Sequence, residues 1–283
     1  MIETQYTSLQ EKYKTLQTAL RSLDNALVAF SGGVDSSFLT LAVLESGIPY
    51  LAVTATSPTM PARDLADVST LVGSLNLNHR LIESGELNDP NFVANRSDRC
   101  YYCKSDLFQR LTALARQEGF AHVLDGTTTD DMTDHRPGLR AKNQFHVKSP
   151  LLEAGLNKNE IRLLSRDKGL PTWNKPASPC LSSRISYGEP ILIPSLHMVE
   201  HAEQTLRNMG FETLRVRKQE STARIELTEH DMTRLLDPKL RKQVTLAFQH
   251  IGFKFVTLDL EGFQSGKLNR VIPITSSLPP PLA

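Results

Sequence analysis

Residues 26–44 read ALVAFSGGVDSSFLTLAVL, in which an apolar run meets a Ser-Gly-Gly turn and then a second apolar run with helical spacing. A buried parallel strand that ends in two glycines lets the backbone approach an anion closely, and the next helix points free N–H groups at that anion. The hydroxyls of Ser31, Ser36 and Ser37 add donors, while Asp35 can hold a magnesium ion. No Gly-Lys-Ser/Thr ending follows, so this is not a Walker loop. The stretch predicts a phosphate-binding loop, with a plain strand-turn-helix corner as the alternative.

The apolar pattern alternates beyond this loop. Strand-like runs at 50–56, 79–83 and 121–125 are separated by helical periods at 61–75 and 104–118. This alternation predicts an α/β fold, in which a parallel sheet carries helices on both faces and binds ligands at the carboxyl ends of its strands.

A loop-like, proline-containing stretch over 172–190 separates this first part from a second pattern of helices and short strands. We predict a nucleotide-binding domain over 1–186, a smaller α+β domain over 187–270 and a mobile tail over 271–283. The smaller domain is expected to bind substrate or to mediate oligomerisation.

The composition is balanced in charge. Among 283 residues, 32 Lys and Arg face 31 Asp and Glu, which leaves a formal net charge of +1. Such balance argues against a protein that coats nucleic acid or a membrane surface. Because no apolar stretch approaches the roughly 18 residues of a membrane span and the start lacks a signal peptide, we expect a cytoplasmic protein without membrane partners.

Three cysteines, an odd number, favour thiol or metal chemistry over a disulfide framework. Cys100 and Cys103 form a CxxC pair just before a predicted helix, and Cys180 lies in the proline-containing loop. Three thiolates suit a [4Fe-4S] cluster with one open iron. From spacing alone, three alternatives stay open: a zinc site completed by His79 or His135, a dithiol redox pair, and unrelated structural cysteines.

Two further regions concentrate charge. Asp125-Gly126-Thr127 ends a predicted strand at the same edge as the phosphate loop, and the segment 130–142 packs carboxylates and cations into one loop. This loop predicts anion and metal contacts beside a nucleotide, with solvated surface charge as the alternative.

The strands predicted over 213–218 and 222–227 place arginines on one face, because strand side chains alternate. Paired antiparallel, they would present Arg215, Arg217, Arg224 and Glu226 together. The guanidiniums predict a receptor for a carboxylate or phosphate ligand, with a solvent-exposed polar face of the sheet as the alternative.

Taken together, these segments resemble the LarE family of ATP-dependent sulfur-insertion enzymes, which carry the PP-loop of ATP pyrophosphatases. The resemblance covers nearly the whole chain. The motifs that carry it are Ser31 to Ser36, Cys100-Tyr-Tyr-Cys103-Lys104, Asp125-Gly126-Thr127, Asp131 through Arg140, Ser149-Pro150-Leu151, Cys180-Leu-Ser-Ser183-Arg184, Arg215-Val-Arg217, 223–227 and 256–260. This chain has His135 where related sequences have Tyr. The departure affects the geometry expected for the charged loop over 130–142.

The resemblance implies a reaction and its cofactors. Family members use ATP to adenylate a carboxylate of pyridinium-3,5-biscarboxylic acid mononucleotide, release pyrophosphate and replace a carboxylate oxygen with sulfur. The product leads to the nickel-pincer nucleotide cofactor of lactate racemase-type enzymes. One form of the family gives up its own cysteine sulfur, whereas a three-cysteine form carries a [4Fe-4S] cluster, and Cys100, Cys103 and Cys180 match the second form. The implied cofactors are ATP, Mg²⁺ and the cluster, and the implied partners are the mononucleotide, an unknown sulfur donor and further copies of the chain in a trimer or hexamer.

The resemblance also implies roles for particular residues. Those expected to act in catalysis are Cys180, Asp35, Lys104, Arg136 and Arg184. Those expected to bind ATP are Ser31, Gly32, Gly33, Asp35, Ser36, Ser37, Thr56, Gly126 and Arg136. Those expected to hold the substrate are Ser183, Arg184, Glu203, Arg215, Arg217 and Arg224. Asp35 is expected to bind Mg²⁺, and the three cysteines to bind the cluster.

Three other functions fit parts of the sequence. A PP-loop tRNA thiolation enzyme also pairs adenylation with a [4Fe-4S] cluster, but the chain is neutral and lacks a recognisable RNA-binding domain, whereas tRNA binding depends on phosphate contacts. An ammonia-using ligase and a non-catalytic nucleotide sensor complete the alternatives.

Overall fold

The computed structural model describes residues 2–132, 138–264 and 266–271. The chain divides into two compact units, the first made of Met1–Ala94 with Asp98–Cys180 and the second of Asn95–Ser97 with Leu181–Ala283. The predicted functional boundary between residues 186 and 187 stays a prediction. His135 and Arg136 of the charged loop, and the predicted tail beyond residue 271, lie outside the described residues.

The described part of the first unit contains a four-stranded parallel sheet. Its strands are β1 (Ala26–Ala29), β2 (Tyr50–Thr56), β3 (His79–Glu83) and β4 (Val123–Leu124). Their order across the sheet is β3-β2-β1-β4, with parallel pairing throughout. The strand order reverses at β1, so the carboxyl ends of β1 and β4 form the switch point where such sheets bind ligands. The predicted α/β class is confirmed.

Helices connect these strands. Those of the first unit are α1 (Ile2–Arg21), α2 (Val34–Ser46), α3 (Ala62–Leu75), α4 (Pro90–Val93), α5 (Arg99–Glu118), α6 (Gly138–Gln144), α7 (Pro150–Glu153) and α8 (Lys158–Asp167). The Asn157 side chain accepts from the Glu160 N–H, and Glu160 reaches back to the Asn157 N–H, so a capping box starts α8. Among the described helices of the chain, none combines the length and the apolarity needed to cross a lipid bilayer.

The side chains of β1 pack into two hydrophobic cores, one on each face of the sheet. Ala26 and Val28 pack with a cluster that includes Phe38 of α2. Leu27, between them, points to the other face and packs with a cluster that includes Phe108 of α5. A strand that is buried on both faces reads as a continuous apolar run, which is why its sequence shows no alternation.

The predicted start of α5 is wrong. The spacing predicts a helix from Lys104 with the CxxC pair before it, but α5 begins at Arg99 and includes both Cys100 and Cys103. The Tyr101 N–H donates to the Asp98 carbonyl (2.8 Å) at this end of the helix. The sequence pattern does not reveal this turn because the segment RCYYC has no aliphatic side chain to extend the apolar stripe. Since residues three apart on a helix share a face, the two cysteines lie side by side.

The described residues of the second unit form a three-stranded sheet and helices. Its elements are α9 (Ile193–Asn208), β5 (Leu214–Gln219), β6 (Thr222–Leu227), α10 (Glu229–Leu235), α11 (Pro238–Ile251) and β7 (Phe255–Leu258). The predicted antiparallel pairing of β5 with β6 is confirmed, with Arg215 opposite Glu226, and β7 joins β6 in parallel. One core contains Val216 and Ile225 of this sheet together with side chains from α9 and α11.

Candidate active site

A cavity of about 660 Å³ opens in the first unit where the strands of its sheet end. Its wall includes Phe30 after β1, Ala55 near the end of β2, Ser84 after β3 and Asp125 after β4. The phosphate loop, the first turns of α5 and the loop that leads to Cys180 also line it, together with residues of α6 and α8. The cavity therefore occupies the ligand position expected for a parallel sheet.

The phosphate loop forms a tight turn between β1 and α2. The Ser31 N–H donates to the Ser36 hydroxyl (3.2 Å), and the two hydroxyl oxygens lie 3.0 Å apart. Gly32 has a φ of +68°, a left-handed conformation that glycine adopts easily. The helix α2 follows Gly33, and no described side chain caps it. The N–H groups of its first turn are therefore available to an anion.

The fold brings many, but not all, of the predicted nucleotide-binding residues to the cavity. Those that line it are Ser31, Gly33, Asp35, Ser36 and Gly126. Ser37 is fully buried, and its hydroxyl has no hydrogen-bond partner among the described residues. Consecutive helix residues point in different directions, so Ser36 and Ser37 do not face one ligand together. Thr56 Oγ1 donates to the Ile82 carbonyl (3.2 Å) within the sheet, and Arg136 lies outside the described residues.

Gly126 lets the chain after β4 approach the phosphate loop. A Cβ at this position would lie 3.1 Å from the Ser36 nitrogen and 3.2 Å from the Asp35 carbonyl carbon, which is tighter than most side chains tolerate. The preceding residue, Asp125, accepts a hydrogen bond from the Ser149 hydroxyl. The absence of a side chain at residue 126 is thus a packing requirement of the site.

Asp35 lies in the first turn of α2, on the cavity wall. Burial raises the pKa of its carboxyl to about 6; the positive charge of Lys158 opposes this shift and the carboxylate of Asp131 adds to it. Two carboxylates in a partly dehydrated site favour a divalent cation, which compensates both charges. Asp35 and Asp131 are therefore the residues that could hold Mg²⁺.

All three cysteines line this one cavity. Burial raises the pKa of the Cys103 thiol well above its ordinary value, and the neighbouring Cys180 and Glu86 raise it further. A redox or nucleophilic cysteine needs a lowered pKa, because the thiolate is the reactive form. The environment of Cys103 therefore disfavours the dithiol redox pair.

Three thiols on one cavity wall have the chemistry that an iron–sulfur cluster needs, and the cluster stays a prediction. In the described parts of the chain, no three His, Cys, Asp or Glu side chains converge closely enough to hold one metal ion. The thiolates of a [4Fe-4S] cluster can lie farther apart than the ligands of a single metal ion, since each thiolate binds a different iron. A thiol such as Cys103 would lose its proton on binding iron. His79, offered for the zinc alternative, does not line the cavity, and its Nε2 lies 2.9 Å from Thr54 Oγ1. His135 lies outside the described residues.

The cavity wall carries more positive than negative charge. Its described residues include six cations and four carboxylates. The cations are Arg99, Lys104, Lys142, Lys158, Arg162 and Lys175. This excess suits a polyphosphate and an acidic mononucleotide. Of these, the sequence singles out Lys104, beside the CxxC pair, and Lys142, at the end of the charged segment 130–142. The other four lie in segments that only the fold brings to the cavity.

Glu86 is a buried carboxylate on the same wall that the sequence pattern does not single out. It accepts hydrogen bonds from Ser57 (2.6 Å), Thr59 (2.9 Å) and Ser84. The segments Ser57-Pro-Thr59 and Ser84-Gly-Glu86 directly follow β2 and β3. Polar residues placed just after parallel strands were the signal that could have revealed this cluster.

In the second unit, two of the predicted substrate-binding arginines are buried in ion pairs. Arg184 Nε lies 2.9 Å from Glu203 Oε1, and Arg217 Nε lies 3.0 Å from Glu226 Oε1. Arg215 is buried as well. The alternative of a solvent-exposed polar face is therefore wrong for Arg215, Arg217 and Glu226, which are buried.

The other predicted substrate-binding residues surround these pairs. Ser183 accepts hydrogen bonds from both paired arginines, through its hydroxyl and its carbonyl. Arg215 lies over the Phe263 ring (5.2 Å), and Arg224 is about one third exposed and lies 3.3 Å from Asp259. Their role in substrate binding stays a prediction.

Known proteins match the chain along nearly its whole length, although no protein-family model does. Pyridinium-3,5-bisthiocarboxylic acid mononucleotide synthase of Lactiplantibacillus plantarum is 37% identical over 268 residues, which cover 93% of this chain and 95% of that protein. An uncharacterized protein of Synechocystis, slr1717, is 41% identical over 265 residues, 93% of this chain and 99% of its own length. An uncharacterized protein of Methanocaldococcus jannaschii, MJ0830, is 30% identical over 258 residues, 91% and 95% of the two chains.

The parallel sheet with a phosphate loop at its switch point defines an α/β protein of the PP-loop type. At 37% identity across 93% of its length to the L. plantarum synthase, the chain belongs to the LarE family. The resemblance inferred from the sequence motifs is confirmed.

Proposed function

We propose that this protein uses ATP to replace a carboxylate oxygen of pyridinium-3,5-biscarboxylic acid mononucleotide with sulfur, a step toward the nickel-pincer nucleotide. The name of the L. plantarum relative supports an enzyme that makes the bisthiocarboxylic acid mononucleotide. The observation that carries the proposal is that the phosphate loop and all three cysteines line one cavity. Activation and sulfur transfer need a shared, sheltered space, because an activated acyl group would otherwise react with water.

The first step activates the substrate, since a carboxylate carbon is a poor electrophile. A carboxylate oxygen attacks the α-phosphorus of ATP, and the bond to pyrophosphate breaks. The N–H groups of the first turn of α2, with the hydroxyls of Ser31 and Ser36, would hold the pyrophosphate as its charge grows. Asp35 and Asp131 would bind Mg²⁺, which supplies neutralisation of phosphate charge. Lys158, which faces Asp35, would add positive charge beside them.

The second step exchanges oxygen for sulfur. Hydrosulfide attacks the acyl carbon and AMP leaves with the original carboxylate oxygen, so the products are a thiocarboxylate, AMP and a proton. Cys100, Cys103 and Cys180 would hold a [4Fe-4S] cluster, which when bound supplies sulfur at the oxidation level of sulfide. Lys104 follows Cys103 on α5 and lines the cavity, where it would neutralise the negative charge of the acyl-adenylate.

The second unit would hold the acidic end of the mononucleotide. Arg224 is the residue best able to meet a ligand, because its side chain is about one third exposed, 35%. Arg184 and Arg217 are each neutralised by a buried carboxylate, which suits them to shaping the site. We also propose a cytoplasmic homo-oligomer, a trimer or hexamer, that receives sulfur from a separate donor.

Anaerobic purification followed by iron and sulfide analysis tests the proposal. We expect about four irons per chain. After reaction with ATP and the mononucleotide we expect AMP, pyrophosphate, a thioacid product and a Cys180 of unchanged mass. Loss of one sulfur from Cys180 would replace the cluster route with the sacrificial one. Failure to convert ATP to AMP on the mononucleotide would overturn the proposal, and salt-sensitive binding of tRNA would favour the tRNA thiolation alternative.

Gly32→Ala is expected to weaken Mg-ATP binding by at least about tenfold, a loss of roughly 1.4 kcal/mol. The added Cβ would lie 2.6 Å from Val68 Cγ2 in a left-handed backbone conformation, so the phosphate loop must rearrange. Isothermal titration calorimetry measures the affinity.

Gly47→Ala is the matched control for this variant. Gly47 also has a positive φ, +79°, but a Cβ there meets nothing within 4 Å, and the residue lies outside the cavity wall. It should lower stability by about 1 kcal/mol and leave ATP affinity unchanged. Equal affinities of the two variants would mean that the loop at residues 31–36 is not the nucleotide site.

A further inference from the structure

One lysine joins the phosphate loop to the loop that carries Cys180. We propose that Lys175 binds the phosphates of the nucleotide and that this contact fixes the position of Cys180 at the cavity wall. The inference rests on the proposed function in taking ATP as the ligand of the phosphate loop. In this role Lys175 binds the nucleotide directly, and it positions Cys180 without acting on the reacting atoms.

Lys175 reaches the phosphate loop from the segment that precedes Cys180. Its Nζ donates to the Gly32 carbonyl (3.3 Å), and the residue lines the cavity. The side chain is mostly buried, with 18% exposed. An ammonium one hydrogen bond away from the loop backbone lies where bound phosphates would place their charge.

Two carboxylates of α3 share the same ammonium. Asp67 Oδ2 lies 2.7 Å from Lys175 Nζ, but its side chain is 54% exposed, so solvent weakens this pair. Asp64 Oδ1 lies 3.5 Å away, and this buried oxygen has no hydrogen-bond partner among the described residues. An ammonium has three N–H donors, and here two carboxylates and the Gly32 carbonyl surround it. A polyphosphate concentrates more negative charge and can compete for it.

The segment is attached to α3 again just before the cysteine. The Ser178 hydroxyl donates to Asp64 Oδ2 (2.6 Å) and accepts from Arg63 (3.3 Å). Because each residue spans at most about 3.6 Å of chain, the Cα of Cys180 lies within about 7 Å of the Cα of Ser178. The cysteine loop is thus held at the phosphate loop and at α3, and Arg162 of α8 also donates to the Lys175 carbonyl (3.0 Å). Phosphate binding adds a charged contact at the phosphate loop and restrains Cys180.

The test uses iron-free protein, so its readouts do not depend on sulfur insertion. Calorimetric titration with Mg-ATP should give an affinity for Lys175→Met about tenfold or more below wild type, the effect of one lost charge-assisted hydrogen bond. Alkylation of Cys180 by iodoacetamide, followed by peptide mass spectrometry, reports on its position. With each protein saturated with Mg-ATP, we expect a several-fold slowing in wild type and little slowing in Lys175→Met. Lys175→Arg keeps the charge and should restore both effects.

Two controls separate this role from general damage to the fold. Lys168→Met removes a lysine that lies 2.7 Å from Glu45 outside the cavity wall, and it should behave as wild type in both assays. Ser178→Ala should speed alkylation without nucleotide while ATP affinity is retained. Full protection of Cys180 in saturated Lys175→Met would overturn the inference and leave the proposed function intact. Absence of ATP binding by wild type would instead overturn the proposed function.

Discussion

Glu203→Ala lowers the free energy of unfolding of the second unit by about 3–5 kcal/mol, the range for removing one partner of a buried ion pair. Arg184 is fully buried, and Glu203 accepts hydrogen bonds from its Nε (2.9 Å) and its Nη2 (3.2 Å). Without this carboxylate, the guanidinium keeps its charge in a medium of low dielectric constant. Glu203 also accepts the Val216 N–H (3.2 Å), so the variant disturbs β5 as well.

The pKa of Glu203 supports the direction of this effect. Burial alone would raise the pKa, but the charge and hydrogen bonds of Arg184, the charge of Arg215 and the Val216 N–H hold it below its ordinary value. The unfolded state therefore binds the proton more tightly than the folded state. The stabilisation is present at neutral pH and is lost as the pH falls through the acid range.

Urea unfolding followed by circular dichroism measures the change, with Glu212→Ala as the control. Glu212 is exposed, and its backbone carbonyl, which accepts from Arg207, survives the substitution. The control should stay within about 0.5 kcal/mol of wild type. A Glu203→Ala protein of normal stability that no longer binds the mononucleotide would assign Glu203 to the substrate and not to the fold.

Asp35→Asn lowers the rate of ATP cleavage by about 100- to 1,000-fold, the effect of losing one preorganised electrostatic group at developing charge. The carboxylate lies beside the first turn of α2, where the proposed mechanism places the pyrophosphate and its Mg²⁺. Asparagine keeps the shape but not the charge, so Mg²⁺ binding weakens while the loop keeps its geometry. Release of pyrophosphate under saturating ATP and mononucleotide measures the rate.

The same variant is expected to stabilise the ligand-free protein. The folded-state pKa of Asp35, about 6, lies above the ordinary value of 3.8, so the folded state binds this proton more tightly than the unfolded state. Stability therefore falls as the pH rises from about 4 to 6, and the full penalty, about 2–3 kcal/mol, is present at neutral pH. Asparagine removes this penalty, and the gain should disappear near pH 4.

Unfolding of both proteins at pH 7.5 and pH 4 tests this prediction, with Asp24→Asn as the control. Asp24 is exposed and lies outside the cavity wall, so its substitution should change neither activity nor the pH dependence of stability. A destabilised Asp35→Asn protein at pH 7.5 would show that the carboxylate serves the fold of the loop, and the loss of activity would then have a structural cause.

The features that the sequence predicts well are local ones. The strand, the two glycines and the helix after them lie within residues 26–46, and their backbone and burial preferences act over a few residues. The β5–β6 pairing follows from alternation in two short neighbouring runs. The start of α5 is less predictable, since its first turn shows no apolar spacing and is recognised only by its hydrogen bonding.

Apolar period, glycine placement and motif order are visible along the chain, so the sequence alone predicts the parallel α/β sheet, the glycine-containing loop after β1 and the family. The fold sets which charges meet. It placed Glu86 and Lys175 on the cavity wall with the cysteines, and it turned Arg184 and Arg217 into partners of buried carboxylates. The physical reason is that an ion pair or a shared cavity joins residues far apart in the chain, and their separation in space is set by the packing of whole elements.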